Sequence, residues 1–173
     1  MLVVNFFAGA GAGKSTTAAY VFSRLKLAGE KAELVAEYAK DLTWDESLQK
    51  LAYQPLVFAQ QAWRLARLAE KANVAVTDSP LLLSLIYTPA YFPKSFSDYV
   101  KWEASRYTSI NFLLQRVKPY QKFGRTQNEQ EAMKKDADTL TLLTENSIPY
   151  TAITGDEKGA ALAYAHVSSY LKG

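Results

Sequence analysis

Leu2-Val3-Val4-Asn5-Phe6-Phe7-Ala8-Gly9-Ala10-Gly11-Ala12-Gly13-Lys14-Ser15-Thr16-Thr17 opens the chain after Met1 and carries the reading on which the fold turns. Leu2 to Phe7 is rich in Val and Phe, too short for a helix, and runs into alternating Ala and Gly. That pattern suits a strand buried on both faces. From Lys14 to Ala28 the apolar residues Ala18, Val21, Phe22 and Leu25 recur at helical spacing, and Gly29 follows them as a C-cap. Strand, glycine-rich turn and helix in this order form the first unit of an α/β domain.

The same alternation continues outward. Short apolar runs at Ala32 to Ala36, Asn73 to Thr77, Ile110 to Leu114 and Tyr150 to Ile153 read as four further strands. Helical patterns separate them at Leu48 to Lys71, 95–107 and Glu129 to Glu145, and a last one closes the chain from Gly159 to Leu171. Strands joined through helices imply parallel pairing with helices on both faces, so the expected architecture is a three-layer α/β domain with a five-stranded parallel sheet. No internal repeat or linker divides it, and one domain over 1–173 is expected. A polar stretch with Pro and Gly, Lys118 to Gln127, interrupts the scheme after strand 4. It reads as a mobile flap or as a long surface loop.

Composition removes several classes of function. The 173 residues are 49% hydrophobic and include no Cys and a single histidine, His166. Thiol catalysis, disulfide scaffolds, Cys-based zinc sites and multi-histidine metal sites are excluded. No apolar run approaches the roughly 18 residues needed to span a bilayer, so no membrane partner is expected; the lack of Cys leaves the compartment open, and the location expected is cytoplasmic. The net charge of +3 is too small to announce a nucleic-acid binder by itself.

Ala8-Gly9-Ala10-Gly11-Ala12-Gly13-Lys14-Ser15 is a phosphate-binding loop pattern with Ala in the first Gly position, set after a buried strand and opening a helix. Small residues let successive backbone N–H groups turn inward around a phosphate, and the helix N-terminus adds partial positive charge. Lys14 would then reach the β- and γ-phosphates and Ser15 would ligate Mg2+.

Asp78 ends strand 3 at the sheet edge where ligands bind in open α/β folds. It reads as a second Mg2+ ligand or as the N-cap of the next segment. Glu37 closes strand 2 on that same edge. Transfer of a phosphoryl group to a hydroxyl calls for a carboxylate beside the attacking oxygen, and Glu37, Asp41 and Asp78 are the candidates. Ser79-Pro80 does not continue the Asp-x-x-Gly of a GTPase switch, and no guanine-reading Asn-Lys-x-Asp occurs. A signalling GTPase is not expected.

Ala104 to Asn128 holds no acid but contains Arg106, Arg116, Lys118, Lys122 and Arg125. Arg116 and Arg125 could clamp the transferring group from a lid at about 115–128, or the stretch is a solvated basic loop. Tyr120 and Phe123 lie among these charges, where aromatic rings can stack on a nucleobase. One of Gln60 and Gln61 could read a base edge, since a glutamine amide both donates and accepts. Arg64, Arg67 and Lys71 share a helix face that follows a phosphate backbone or is simply wet surface.

Taken together, Phe7 to Thr17, Ala36-Glu37-Tyr38-Ala39-Lys40-Asp41, Val76-Thr77-Asp78-Ser79-Pro80 and Lys118 to Glu131 resemble phage-encoded P-loop kinases. These are similar to the nicotinamide riboside kinase domain and to deoxynucleoside and thymidylate kinases. The resemblance implies a parallel five-stranded core, a lid after strand 4, ATP as donor and a hydroxyl as acceptor. It also makes Lys14, Ser15 and Thr16 ATP and Mg2+ residues and gives Glu37 the position of the base. Tyr38 stands where those kinases usually have Pro. One branch of the group is similar to 5-hydroxymethyluracil DNA kinases, which implies a DNA substrate and, for a phage product, the host cytoplasm. The competing expectations are a kinase of a free nucleoside, nucleotide or nicotinamide riboside, and an ATP-binding switch or ATPase without an acceptor.

Overall fold

The structure is a computed structural model that describes residues 1–124 and 126–173. Its centre is β1 (Leu2–Phe7), all six residues of which are buried. The strand alternates its side chains between two apolar layers. Val4 and Phe6 join Val21 and Leu25 of α1 (Lys14–Leu27) and Val167 of α8 (Glu157–Lys172). On the opposite face Val3 packs with Phe58 and Leu65 of α4 (Gln54–Ala66) and Val100 of α6 (Lys94–Ser105). Phe7 meets Leu143 of α7 (Glu129–Glu145) on that second face. The continuous apolar run in β1 follows from this double burial.

The remaining strands are β2 (Ala32–Val35), β3 (Val74–Thr77), β4 (Thr108–Gln115) and β5 (Thr151–Thr154). All pairings are parallel, in the order β2-β3-β1-β4-β5. Chain order reverses about β1, because β2 and β3 lie to one side of it and β4 and β5 to the other. The C-terminal end of β1 is therefore the topological switch point, where open α/β sheets form their crevice. The expected three-layer α/β architecture with a parallel five-stranded sheet is what the chain adopts.

Local structure departs from the sequence patterns in three places. The residues after Glu37 form a helix, α2 (Tyr38–Trp44), where a strand end alone was expected. The long helix expected over Leu48 to Lys71 is split at Tyr53 into α3 (Leu48–Ala52) and α4. Pro55 lies in the first turn of α4, where its missing N–H costs nothing and its ring forbids continuation from α3. Beyond β3 a 3-10 turn (Leu81–Leu83) leads into α5 (Ser84–Tyr87), which places Tyr87 over the crevice. The described residues of 116–128 carry neither helix nor strand, and Asn128 then starts α7 with a capping box to Glu131. Among the described residues no helix is long and apolar enough to cross a membrane.

Candidate active site

Residues Ala8 to Ser15 leave the end of β1, wrap over the sheet edge and enter α1. Gly11 and Gly13 take left-handed backbone conformations, with φ of 78° and 103°. Close packing adds a second requirement for glycine. A Cβ on Gly9 would lie 2.3 Å from the Ala132 carbonyl oxygen in α7, and one on Gly13 would lie 2.7 Å from that of Gly155. The loop is thus gripped between α7 and the turn after β5. Ala8 and Ala12 are buried beneath it, while Ala10, Gly11, Gly13, Lys14, Ser15 and Thr16 face a cleft of about 680 Å³. The Lys14 ammonium donates to the carbonyls of Ala8 at 2.9 Å and Gly9 at 3.0 Å, which holds its charge across the loop mouth.

The carboxylates divide by environment. Glu37 is the N-cap of α2, yet its side chain makes no capping hydrogen bond and lines the cleft. Burial raises its pKa above the ordinary carboxylate value, Lys14 opposes that rise and Asp78 reinforces it. Asp78 is buried at the end of β3, and its Oδ1 has no hydrogen-bond partner among the described residues. An orphaned carboxylate oxygen is costly unless a cation or donor meets it. The Ser15 hydroxyl, which lines the cleft, and the Asp78 carboxylate are hard oxygen donors of the kind that would suit Mg2+, which takes few protein ligands alongside phosphate and water. Among the described residues no group of three or more His, Cys, Asp or Glu side chains is placed to hold a metal. Asp41 is instead paired with Arg64, whose guanidinium also donates to the Ala36 carbonyl at 3.1 Å and lies 5.2 Å from the centre of the Tyr38 ring.

Both ends of the Gln61 amide are used inside the protein. Its Oε1 accepts from Tyr38 N–H at 3.0 Å and its Nε2 donates to the Ala36 carbonyl at 3.4 Å, so it pins the turn that presents Glu37. Gln60 is exposed on α4 and does not line the cleft. Arg116 leaves β4 toward the phosphate loop. Its Nε and Nη2 bond Asp136 at 3.0 and 2.9 Å, Nη2 also reaches the Ala10 carbonyl at 2.9 Å, and Nη1 is buried without a partner among the described residues. Tyr120 donates its hydroxyl to the Gln127 carbonyl. Phe123 packs edge-on against Trp44 with ring centres 5.3 Å apart, which roofs the cleft. Arg125 lies outside the described residues.

Asp136, Gly155, Leu51, Val57 and Tyr87 had no part in the sequence reading, which took Trp44 as a core or rim residue or a base platform. Asp136 accepts the Gly9 N–H at 2.6 Å and so ties α7 to the loop. It shares a helix face with Ala132, Thr139 and Leu143, all buried, and an acid within such a stripe is the signal that marks it. Gly155 brings β5 against the loop, and its position directly after a strand is its sequence mark. Trp44, Leu51, Val57 and Tyr87 line the same cleft as Glu37. These four come from separate elements and share no local pattern.

A family model described as AAA domain matches residues 3–158. The chain belongs to this AAA domain family. No curated protein matches the chain. The AAA match runs from β1 into the first turn of α8, so it spans the whole sheet and the phosphate loop at its switch point. Membership makes this a nucleotide-binding domain of the P-loop type.

Proposed function

We propose that the chain is an ATP- and Mg2+-dependent phosphotransferase that passes the γ-phosphoryl group of ATP to a hydroxyl acceptor. One observation carries the reading: a single cleft is lined by the phosphate loop, by the half-buried carboxylate of Glu37 and by the apolar side chains of Trp44, Leu51 and Val57. A module that only switches or hydrolyses ATP has no use for that apolar lining.

In this reading the backbone N–H groups of the loop and the Lys14 ammonium hold the β- and γ-phosphates. Ser15 and Asp78 would hold Mg2+, which when bound would supply positive charge against that developing on the phosphates. Glu37 takes the proton of the acceptor hydroxyl as that oxygen bonds to the γ-phosphorus. The bond from the γ-phosphorus to the bridging oxygen breaks, and ADP leaves with the electron pair. The raised pKa brings Glu37 closer to the working pH, which improves a general base. Gln61 and Arg64 position that base by fixing the turn before α2.

The acceptor we assign to a cleft lined by apolar side chains and a carboxylate is a hydroxymethyl group on a pyrimidine, presented by DNA as 5-hydroxymethyluracil. Exposed Lys118 and Lys122 on the loop beside the cleft support a phosphate backbone nearby. In a phage this enzyme would work in the host cytoplasm. The roof made by Trp44 and Phe123 favours a second reading, a free nucleoside, nucleotide or nicotinamide riboside as acceptor. Transfer of γ-labelled phosphate from ATP to duplex DNA containing 5-hydroxymethyluracil, run beside a pool of free nucleosides and nucleotides, separates the two. Label in that DNA and not in matched thymine DNA establishes the first, and label only in the pool the second. ATP hydrolysis that ignores every acceptor defeats both.

A further inference from the structure

A second cavity, of about 320 Å³, lies on the sheet face that packs against α4 and α6, and among the described residues it shares no lining residue with the cleft. Val3, Asn5 and Phe7 of β1 line it beside Asn111 of β4, with Leu65 of α4 and Leu81. Asn5 is the polar exception in an apolar strand and is 8% exposed. It stands opposite Asn111 in the β1–β4 register. Asn111 Nδ2 donates to the Pro149 carbonyl at 3.0 Å, which leaves Asn111 Oδ1 to accept from Asn5 Nδ2 at 2.9 Å. A carbonyl can only accept, so Pro149 sets the orientation of both amides. Asn5 Oδ1 is the end left over. It has no hydrogen-bond partner among the described residues, and it is not sealed from solvent, so it is open to a molecule in the cavity. Among the described residues the lining holds no Asp or Glu, and its one charge is Lys101, exposed on α6.

We propose that this cavity is a second ligand site, for a neutral, largely apolar molecule of one or two rings that donates an N–H or O–H to Asn5 Oδ1. A dry apolar cavity of about 150 Å³ takes a benzene ring, so there is room here for two fused rings. Apolar walls supply affinity and a single placed polar group fixes orientation, as in small-molecule pockets generally. A cation is disfavoured, because no carboxylate lines the cavity and the Lys101 ammonium repels it. A ring without a donor displaces water from Asn5 Oδ1 and leaves that oxygen unpaired. The site is independent of the reaction proposed for the cleft.

The test is an NMR titration of the full chain with indole and with benzothiophene, which has nearly the same shape without the N–H, under a saturating non-hydrolysable ATP analogue that occupies the phosphate loop. Indole is expected to bind more tightly by roughly fivefold or more. The backbone amide resonances of Ser109 and Asn146, which line the cavity, should move while those of Gly11 and Lys14 in the cleft stay. Ala104→Phe, which puts a ring into the cavity from α6, should abolish binding of both probes and leave affinity for the ATP analogue at the wild-type value. Asn5→Leu should remove the preference for indole. Failure of indole to bind, a wild-type ratio near one, shifts centred on Gly11 and Lys14, or binding that survives Ala104→Phe overturns the site. The wild-type ratio and the position of the shifts decide it if either variant does not fold.

Discussion

Asp136 Oδ1 accepts the backbone N–H of Gly9 at 2.6 Å while its Oδ2 takes the Arg116 guanidinium. One carboxylate on α7 therefore sets the start of the phosphate loop and the exit of β4 together. Asp136→Ala removes both acceptors and leaves a largely buried guanidinium and an N–H without partners. The expected loss is about 1–3 kcal/mol in chemical denaturation, together with a raised KM for ATP. Asp136→Asn keeps an acceptor for Gly9 and should fall between wild type and Ala.

Gly13→Ala tests the grip on the other side of the loop. The residue has φ of 103°, and the new Cβ would lie 2.7 Å from the Gly155 carbonyl oxygen, which is backbone and cannot turn aside. Left-handed strain alone costs about 1–3 kcal/mol. We expect a lower Tm and loss of nucleotide binding, read by calorimetry and by titration with an ATP analogue.

Lys14→Ala removes the charge that spans the loop mouth. Loss of an electrostatic contact to a transferring group typically costs about 10²–10³ in kcat, and steady-state transfer should fall at least that far. Retention of near wild-type turnover would remove the phosphate loop from the reaction.

Glu37→Gln should lower kcat by about 10²–10⁴ with ATP affinity preserved, as expected for loss of a general base. In the wild type the acidic limb of kcat/KM should lie above the ordinary carboxylate range, because burial raises the Glu37 pKa. The same shift has a sign for stability. A carboxyl whose pKa is higher in the folded state stabilises below its unfolded pKa, and that contribution is lost as pH rises through the folded value. Glu37→Gln should therefore melt above the wild type at neutral pH, and the gap should close on acidification.

Trp44→Ala opens the roof. Phe123 loses its edge-on partner and Gly124, pressed so closely on Trp44 that a Cβ would lie 2.7 Å from Cζ2, loses its support. The KM of the acceptor should rise several-fold while the KM of ATP stays near wild type, measured by varying each substrate in turn.

Elements whose signals are local are legible in the chain. The apolar run of β1, the glycines of the loop and the helical period of α1 specify a βα unit within residues 2–27, and the Asn128–Glu131 capping box starts α7 where the pattern predicts. The parallel sheet followed from alternation alone. The partners of the polar residues come from packing between distant segments. Gln61, read as a base-reading candidate, has both ends of its amide used on the turn before α2, and Asp41 is held by Arg64. Arg116 and Asp136 meet on the phosphate loop from 20 residues apart. Trp44, Tyr87 and Gln127 come from three separate segments and share a cleft. A hydrogen bond between distant residues leaves no periodic trace in the chain, because its partner is chosen by packing after the backbone has closed. Local backbone preference writes the loop, and long-range burial assembles the pocket around it.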